Sequence, residues 1–213
     1  MSFSPESFTP EWISAIANIF IAFGVVFIAW QAFSAAYQIK ADHERSRRQK
    51  AIELMEFWCV RSLELLPAML IREMIEELSF AQCTKISACE KLEVDKRFKS
   101  ALEAFFGVIP GTHSNKIQEE VGILSLDEYQ VRMINRYVAG YLNTFETIAT
   151  AWRHGVADKD IIEEEFYALF VKGRNRFRLE EYRKASGVFP SIALLVNAIK
   201  DKENSSIQKS PIA

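Results

Sequence analysis

The sequence predicts an all-α protein, with one N-terminal transmembrane helix followed by an irregular cytoplasmic helical bundle. Three observations predict it. The stretch "EWISAIANIFIAFGVVFIAWQAF", residues 11–33, has no charged side chain after Glu11. Apolar residues then recur at steps of three and four from residue 51 to about 200. No segment shows a sustained run of alternating apolar and polar residues, the pattern of a half-buried strand. The organisation read from this is a short outer N-terminus (1–11), a transmembrane helix (12–37), a basic juxtamembrane segment (38–50), a cytoplasmic helical domain (51–200) and a disordered tail (201–213).

The first element follows from length and chemistry. Between Trp12 and Trp30 the only strongly polar side chains are Ser14 and Asn18. A helix over that interval rises ~27 Å at 1.5 Å per residue, close to the ~30 Å hydrocarbon thickness of a bilayer. Trp12 at one end, with Trp30 and Tyr37 at the other, suits rings seated at the two interfaces. A signal peptide would have a basic start and a shorter apolar middle, although the small residues of "FSAA" (33–36) resemble a cleavage site. A buried core helix is the other alternative, and it needs a larger domain around it than this chain offers.

Charge placement sets the expected orientation. Residues 1–37 carry Glu6 and Glu11 and no Lys or Arg, whereas residues 38–50 carry Lys40, Arg45, Arg47, Arg48 and Lys50 against Asp42 and Glu44. Basic residues flanking a span stay on the cytoplasmic side. The N-terminus is therefore expected outside and the helical domain in the cytoplasm. Each such cation near an anionic leaflet contributes on the order of 1 kcal/mol.

One face of the span is small. Ala15, Asn18, Ala22, Val25, Ala29, Ala32 and Ala36 follow a seven-residue period, while Ile16, Ile19, Phe20, Phe23, Phe27 and Ile28 lie elsewhere. Helices in lipid associate through small residues that allow close approach and through polar side chains that find each other. The seam therefore marks a candidate helix-packing surface for a homo-oligomer. The alternative is that alanine is simply common in spans.

No breaker occurs between Tyr37 and Pro67, so the helix is expected to continue past the membrane, with a hinge at 40–46 unmarked by Gly or Pro. Ala51, Met55, Trp58, Ser62 and Leu65 share one face, with Leu54, Val60 and Leu66 alongside. Pro67 interrupts or restarts the helix. Residues 68–79 bring Ile71, Ile75 and Leu78 together. Residues 85–106 read as one charged helix, followed by a loop through Pro110 and Gly111. Ser125 and Glu128 of "SLDE" match a capping box for a helix running to His154 and stopped by Gly155. Its stripe is Ile134, Val138, Tyr141, Phe145, Ile148 and Trp152. Asp158 caps the next helix, carrying Ile162, Phe166, Leu169, Phe170 and Phe177. A last short helix follows Phe189-Pro190, with Ile192, Leu195, Val196 and Ile199.

The chemistry-bearing residues are sparse. His43, His113 and His154 have no partners at metal spacing. Cys59, Cys83 and Cys89 make an odd set without a disulfide framework and read as buried or half-buried thiols. Phosphate-cradling glycine loops are absent. No catalytic residue, metal or cofactor is expected, and an enzyme would need a site built from dispersed residues. The formal net charge of −2 argues against general nucleic-acid binding. "VKGRNRFRLEEYRK" (171–184) is locally basic but contains Glu180 and Glu181, which favours pairing on a solvated helix over phosphate binding. Arg132, Arg136, Asn143 and Glu146 flank the apolar stripe and form a candidate polar interaction strip. It is either a water-facing flank or a network that fixes a neighbouring helix or receives a partner.

"YLNTFETIATAWRHGVADKDII", residues 141–162, carries a Tyr-Leu-Asn-x-x-Glu helix, a glycine turn and a further acidic helix. With the span and basic exit, this resembles a bacterial domain-of-unknown-function family of single-pass membrane proteins. The resemblance implies an inner-membrane protein and brings no activity or catalytic residue. The expected function is an anchor, adaptor or regulator whose cytoplasmic domain binds an unidentified protein partner. The alternative is a membrane-perturbing effector of a toxin or phage-defence system, acting through oligomerised spans.

Overall fold

A computed structural model describes residues 10–110, 117–120, 122–170 and 179–208, with side chains described for all of these except 10–12, 168–170 and 206–208. The chain forms two units, Met1–Ser46 and Arg47–Ala213. Helix α1 (Pro10–Glu64) passes without interruption through 40–46. In the first unit it is exposed at almost every described position.

The second unit holds the core. In its part of α1, Ala51 and Leu54 are buried, with Met55, Trp58 and Leu65 half-buried. Val60 and Leu66, expected beside that face, are 59% and 56% exposed. Pro67 acts as expected: α1 ends at Glu64 and α2 (Leu66–Leu70) restarts around it, because proline lacks the N–H that continuation requires. Helix α3 (Arg72–Glu77) buries Met74 and Ile75, with Ile71 and Leu78 buried at its two ends.

The long helix expected over 85–106 is not formed. Helix α4 (Phe80–Ala88) stops where Cys89 turns left-handed, and strand β1 (Leu92–Asp95) follows. A 3-10 turn (Lys96–Phe98) leads to α5 (Lys99–Val108). The physical reason is the alternation in "LEVD": Leu92 and Val94 are buried while Glu93 and Asp95 face water, a period of two that a helix cannot satisfy. Strands β2 (Gln118–Glu120) and β3 (Ile123–Leu126) complete an antiparallel sheet of order β1-β3-β2. Leu92 pairs with Leu126 and Val94 with Leu124, so the four apolar side chains meet on the core face. This sheet is the one departure from the all-helical expectation among the described residues.

The sheet also displaces the expected capping box. Ser125 is paired inside β3, opposite Glu93 and Gln118, and Asp127 caps α6 (Glu128–Arg153) instead. Asp127 Oδ1 accepts from the Gln130 N–H at 2.8 Å, and Gln130 Oε1 accepts from the Asp127 N–H at 2.9 Å. "DEYQ" satisfies the same capping pattern two residues later, where the backbone is free of strand pairing.

Helix α6 is the spine of the unit. All six residues of its expected stripe are buried. Trp58 meets Tyr141, Phe145 and Phe166 edge-on, with ring centroids 5.0, 5.3 and 5.4 Å apart. Edge-to-face pairs contribute ~0.5–1.5 kcal/mol each beyond their buried area. The helix ends as expected: Gly155 takes φ +65°, its N–H donates to Trp152, and the Val156 N–H donates to Ala151. That pair of bonds satisfies the last carbonyls at a position where a β-carbon is disfavoured. Asp158 then caps α7 (Lys159–Phe170), its carboxylate accepting from the N–H groups of Asp160 and Ile161. Ile162 and Phe166 are buried; Leu169, Phe170 and Phe177 lie outside the described side chains.

Helix α8 (Glu180–Ser186) and helix α9 (Pro190–Gln208) close the unit. Ile192, Leu195, Val196 and Ile199 are buried as expected. The last helix is longer than expected, continuing to Gln208 through most of the segment read as a tail.

Glu119 joins β2 to the start of α5, with Lys96 and Lys99 on its carboxylate, the latter at 2.8 Å. Hydrogen bonds from these two ammonium groups hold its pKa down at about 2, from 4.5. A depressed carboxylate pKa stabilises the fold above the unfolded value and loses that contribution as pH falls through the folded value. A gap in urea midpoint between the native chain and Glu119→Gln is therefore expected at pH 7. It should narrow below pH 4.5 and close near pH 2, and because the site is exposed it should be small.

Candidate functional site

Two candidate regions stand in the chain: the exposed apolar part of α1 in the first unit and, separately, the polar anchors of the second, with the residues of the basic exit divided between the two. The apolar part begins at Ile13. It is long and apolar enough to cross a membrane, and none of its most apolar window is buried. Ala15, Asn18, Ala22, Val25, Ala29, Ala32 and Ala36 are all exposed, as are Phe20, Phe23, Phe27 and Trp30. Water is a poor solvent for such a surface, at roughly 25 cal/mol per Å² of apolar area.

The five basic residues at the exit are also exposed. Lys40 and Arg45 belong to the first unit. In the second, Lys50 pairs with Glu53 at 3.0 Å, and Arg48 approaches Asp158 at 3.7 Å. The Asp158 N–H donates to the Arg47 carbonyl at 3.1 Å. Asp158 thus caps α7 and holds the first turn of the second unit's share of α1. Exposed pairs of this kind contribute ~0–1 kcal/mol, which leaves the cations available to other anions.

The polar strip divides. Arg132, Arg136 and Asn143 face water. Glu146 instead turns inward, and its two oxygens accept from the N–H groups of Ser191 and Ile192 at 2.9 and 3.0 Å. Those are orphan amides of the first turn of α9, and a carboxylate there also complements the helix dipole. Thr150 adds a hydroxyl bond to Ser191 at 3.1 Å. In this strip Glu146 fixes a neighbouring helix, one of the two alternatives the sequence leaves open.

Sequence reading missed two further anchors. Glu76 Oε1 accepts from the Leu179 N–H at 2.7 Å, across 103 positions. Leu179 is buried in a left-handed conformation, which that bond helps to hold. Tyr182 donates its hydroxyl to Asn135 Oδ1, and Asn135 Nδ2 donates to Cys89 Sγ at 3.4 Å. Burial pushes the Tyr182 hydroxyl pKa upward. No local spacing signals either contact, because each joins helices far apart in the chain.

A comparison with protein families matches residues 19–186 to a domain of unknown function, DUF4760. The chain belongs to the DUF4760 family. Comparisons with curated proteins and with solved structures find no match. The DUF4760 match covers the exit and helices α2–α8, including the Tyr-Leu-Asn-x-x-Glu segment of α6, but begins inside the apolar run and stops at the end of α8.

Candidate metal-ligating residues do not converge: among the described residues no group of three His, Cys, Asp or Glu is placed to hold a metal ion. His43 and His154 are exposed, and His113 lies outside the described residues. Cys59 is exposed, contrary to expectation, because it lies on the outward face of α1; Cys83 is buried and Cys89 half-buried. Burial, with the charges of Glu181 and Glu76, pushes the Cys83 thiol up to about 11, which keeps it protonated and unreactive. Lys172, Arg174, Arg176 and Arg178 lie outside the described residues, whereas Lys184 pairs with Glu180 and Glu181 at 3.1 and 3.0 Å.

Replacing Glu146 tests its anchoring role. Glu146→Ala is expected to cost about 1–3 kcal/mol by leaving two amides without their charged acceptor, and Glu146→Gln less. Arg132→Ala and Arg136→Ala should stay within about 0.5 kcal/mol. Chemical denaturation of the full chain in a non-ionic detergent measures all four.

Proposed function

We propose that this chain is a single-pass bacterial inner-membrane protein whose second unit is a cytoplasmic interaction domain, acting as an anchor, adaptor or regulator for a protein partner. One observation carries the reading: an uncharged run of membrane length, apolar on all sides, that stays exposed in the folded chain. A soluble protein would bury such a helix, and lipid solvates it instead. The basic exit supports an outside N-terminus and a cytoplasmic domain, in contact with an anionic leaflet. The seam from Ala15 to Ala36 supports association of spans, with Asn18 as a polar contact of roughly 0.6–2 kcal/mol.

The domain's helices, as described, are joined by packing and by polar contacts to backbone amides rather than arranged around convergent acid, base and nucleophile groups. A membrane-perturbing effector uses the same seam and is separated from an adaptor by its effect on the host cell.

Three measurements test the reading. The full chain should pellet with membranes, resist carbonate extraction and be released by detergent. An uncleaved, monodisperse chain in the supernatant after ultracentrifugation would overturn it. Leucine at Asn18, Ala22 and Ala29 together should reduce crosslinking between spans by severalfold, and unchanged crosslinking removes the seam. Expression alone should leave the membrane potential intact and allow co-purification of a partner; depolarisation would favour the effector.

A further inference from the structure

Helix α8, the turn at Gly187–Phe189 and helix α9 enclose a cleft of about 360 Å³, within the roughly 300–1,000 Å³ of small-molecule sites. Gly187, at φ +67°, turns the chain sharply from one helix to the next, and no atom lies within 4 Å of where its β-carbon would stand. Phe189, Pro190 and Val196 give the cleft an apolar floor. Its charged lining is Arg183, Lys184 and Lys200 against Glu180.

The local charges have different degrees of engagement. Burial lowers the Arg183 pKa, against the raising effect of the charges of Glu180, Glu76 and Glu146; of these, Glu76 and Glu146 also accept from backbone amides. The α9 amides that hold Glu146 carry the positive end of that helix's dipole. Lys184 pairs with both Glu180 and Glu181, at 3.1 and 3.0 Å. Lys200 is half-buried, and among the described residues neither it nor Asn197 forms a side-chain hydrogen bond or ion pair. The two stand three positions apart on α9, on one wall of the cleft. The cations also act together on Glu180, whose pKa is lowered chiefly by Lys184, with Arg183 and Lys200 contributing.

We propose that the cleft between α8 and α9 binds a ligand bearing a phosphate monoester on an apolar body, with Lys200, Asn197 and Lys184 on the phosphate and Phe189, Pro190 and Val196 against the body. A monoester dianion offers several acceptors to two ammonium groups and an amide. The apolar floor favours a ligand larger than inorganic phosphate. Two sources share this chemistry: a soluble nucleotide and the headgroup of an acidic lipid.

Calorimetric titration of the full chain in non-ionic detergent tests the site with three probes: inorganic phosphate, adenosine monophosphate, and phosphatidate in mixed micelles. At least one organic probe is expected to saturate below about 1 mM and to bind more tightly than inorganic phosphate. Adenosine monophosphate doing so identifies a soluble ligand, and phosphatidate alone a lipid headgroup. Lys200→Ala should weaken binding by about tenfold, the equivalent of one charge-assisted contact. Asn197→Ala should weaken it by less, and Lys202→Ala should leave it unchanged, since Lys202 pairs with Asp160 and Glu163 outside the cleft. Circular dichroism confirms that each variant folds. Absence of saturation by either organic probe at about 5 mM, where even a ~1 mM site is mostly filled, would overturn the proposal. So would equal affinity in the native chain and in folded Lys200→Ala.

Discussion

The solvent that an apolar helix requires is the constraint from which the rest follows. From Ile13 to Tyr37 the chain presents exposed apolar side chains, bulky on most of its surface and small along the seam from Ala15 to Ala36. Its backbone is satisfied internally, which is what a lipid-facing segment would need. Only side chains then decide where the segment rests, and they are uniformly greasy except for Ser14, Asn18, Gln31 and Ser34. The positive cluster that follows is the natural complement of such a segment, since charge is costly inside hydrocarbon and useful just outside it.

Within the second unit, stability comes from a different arrangement. Helix α6 supplies a continuous apolar stripe, and Trp58 from α1 and Phe166 from α7 lock onto it through ring edges. Acidic side chains then hold the ends of other elements in place. Asp127 caps α6, Asp158 caps α7, Glu146 receives α9, and Glu76 receives Leu179. In each case a carboxylate meets backbone amides that would otherwise lack partners. Buried apolar surface brings the helices together without direction, and these bonds set how they are seated.

The parts of this plan legible in the sequence are those written in local periodicity. The α6 stripe, the stop at Gly155, the Asp158 cap and the restart at Pro67 each depend on residues within one or two turns. The small sheet is not legible in the same way. "LEVD" offers only two buried positions, too short to outweigh the helical reading of its charged surroundings, and its partner "ILSL" begins 31 residues later. Ser125 misleads for a related reason: the capping pattern is present twice, and tertiary pairing of β3 selects the second. Glu146 is legible as a polar residue on the flank, but its role depends on α9 arriving from 45 positions away.

The seating of α9 bears on where this domain ends. The region shared with the family stops at residue 186, four residues before α9 begins. Yet Ile192, Leu195 and Ile199 are nearly inaccessible to solvent, and their helix opens on a carboxylate borrowed from the spine. A fragment trimmed to the shared region would leave an open trough along α6, with a stranded negative charge at its lip. Recurrence among relatives and physical completeness are thus separate boundaries in this protein, and the cooperative folding unit reaches past the first to include the final helix.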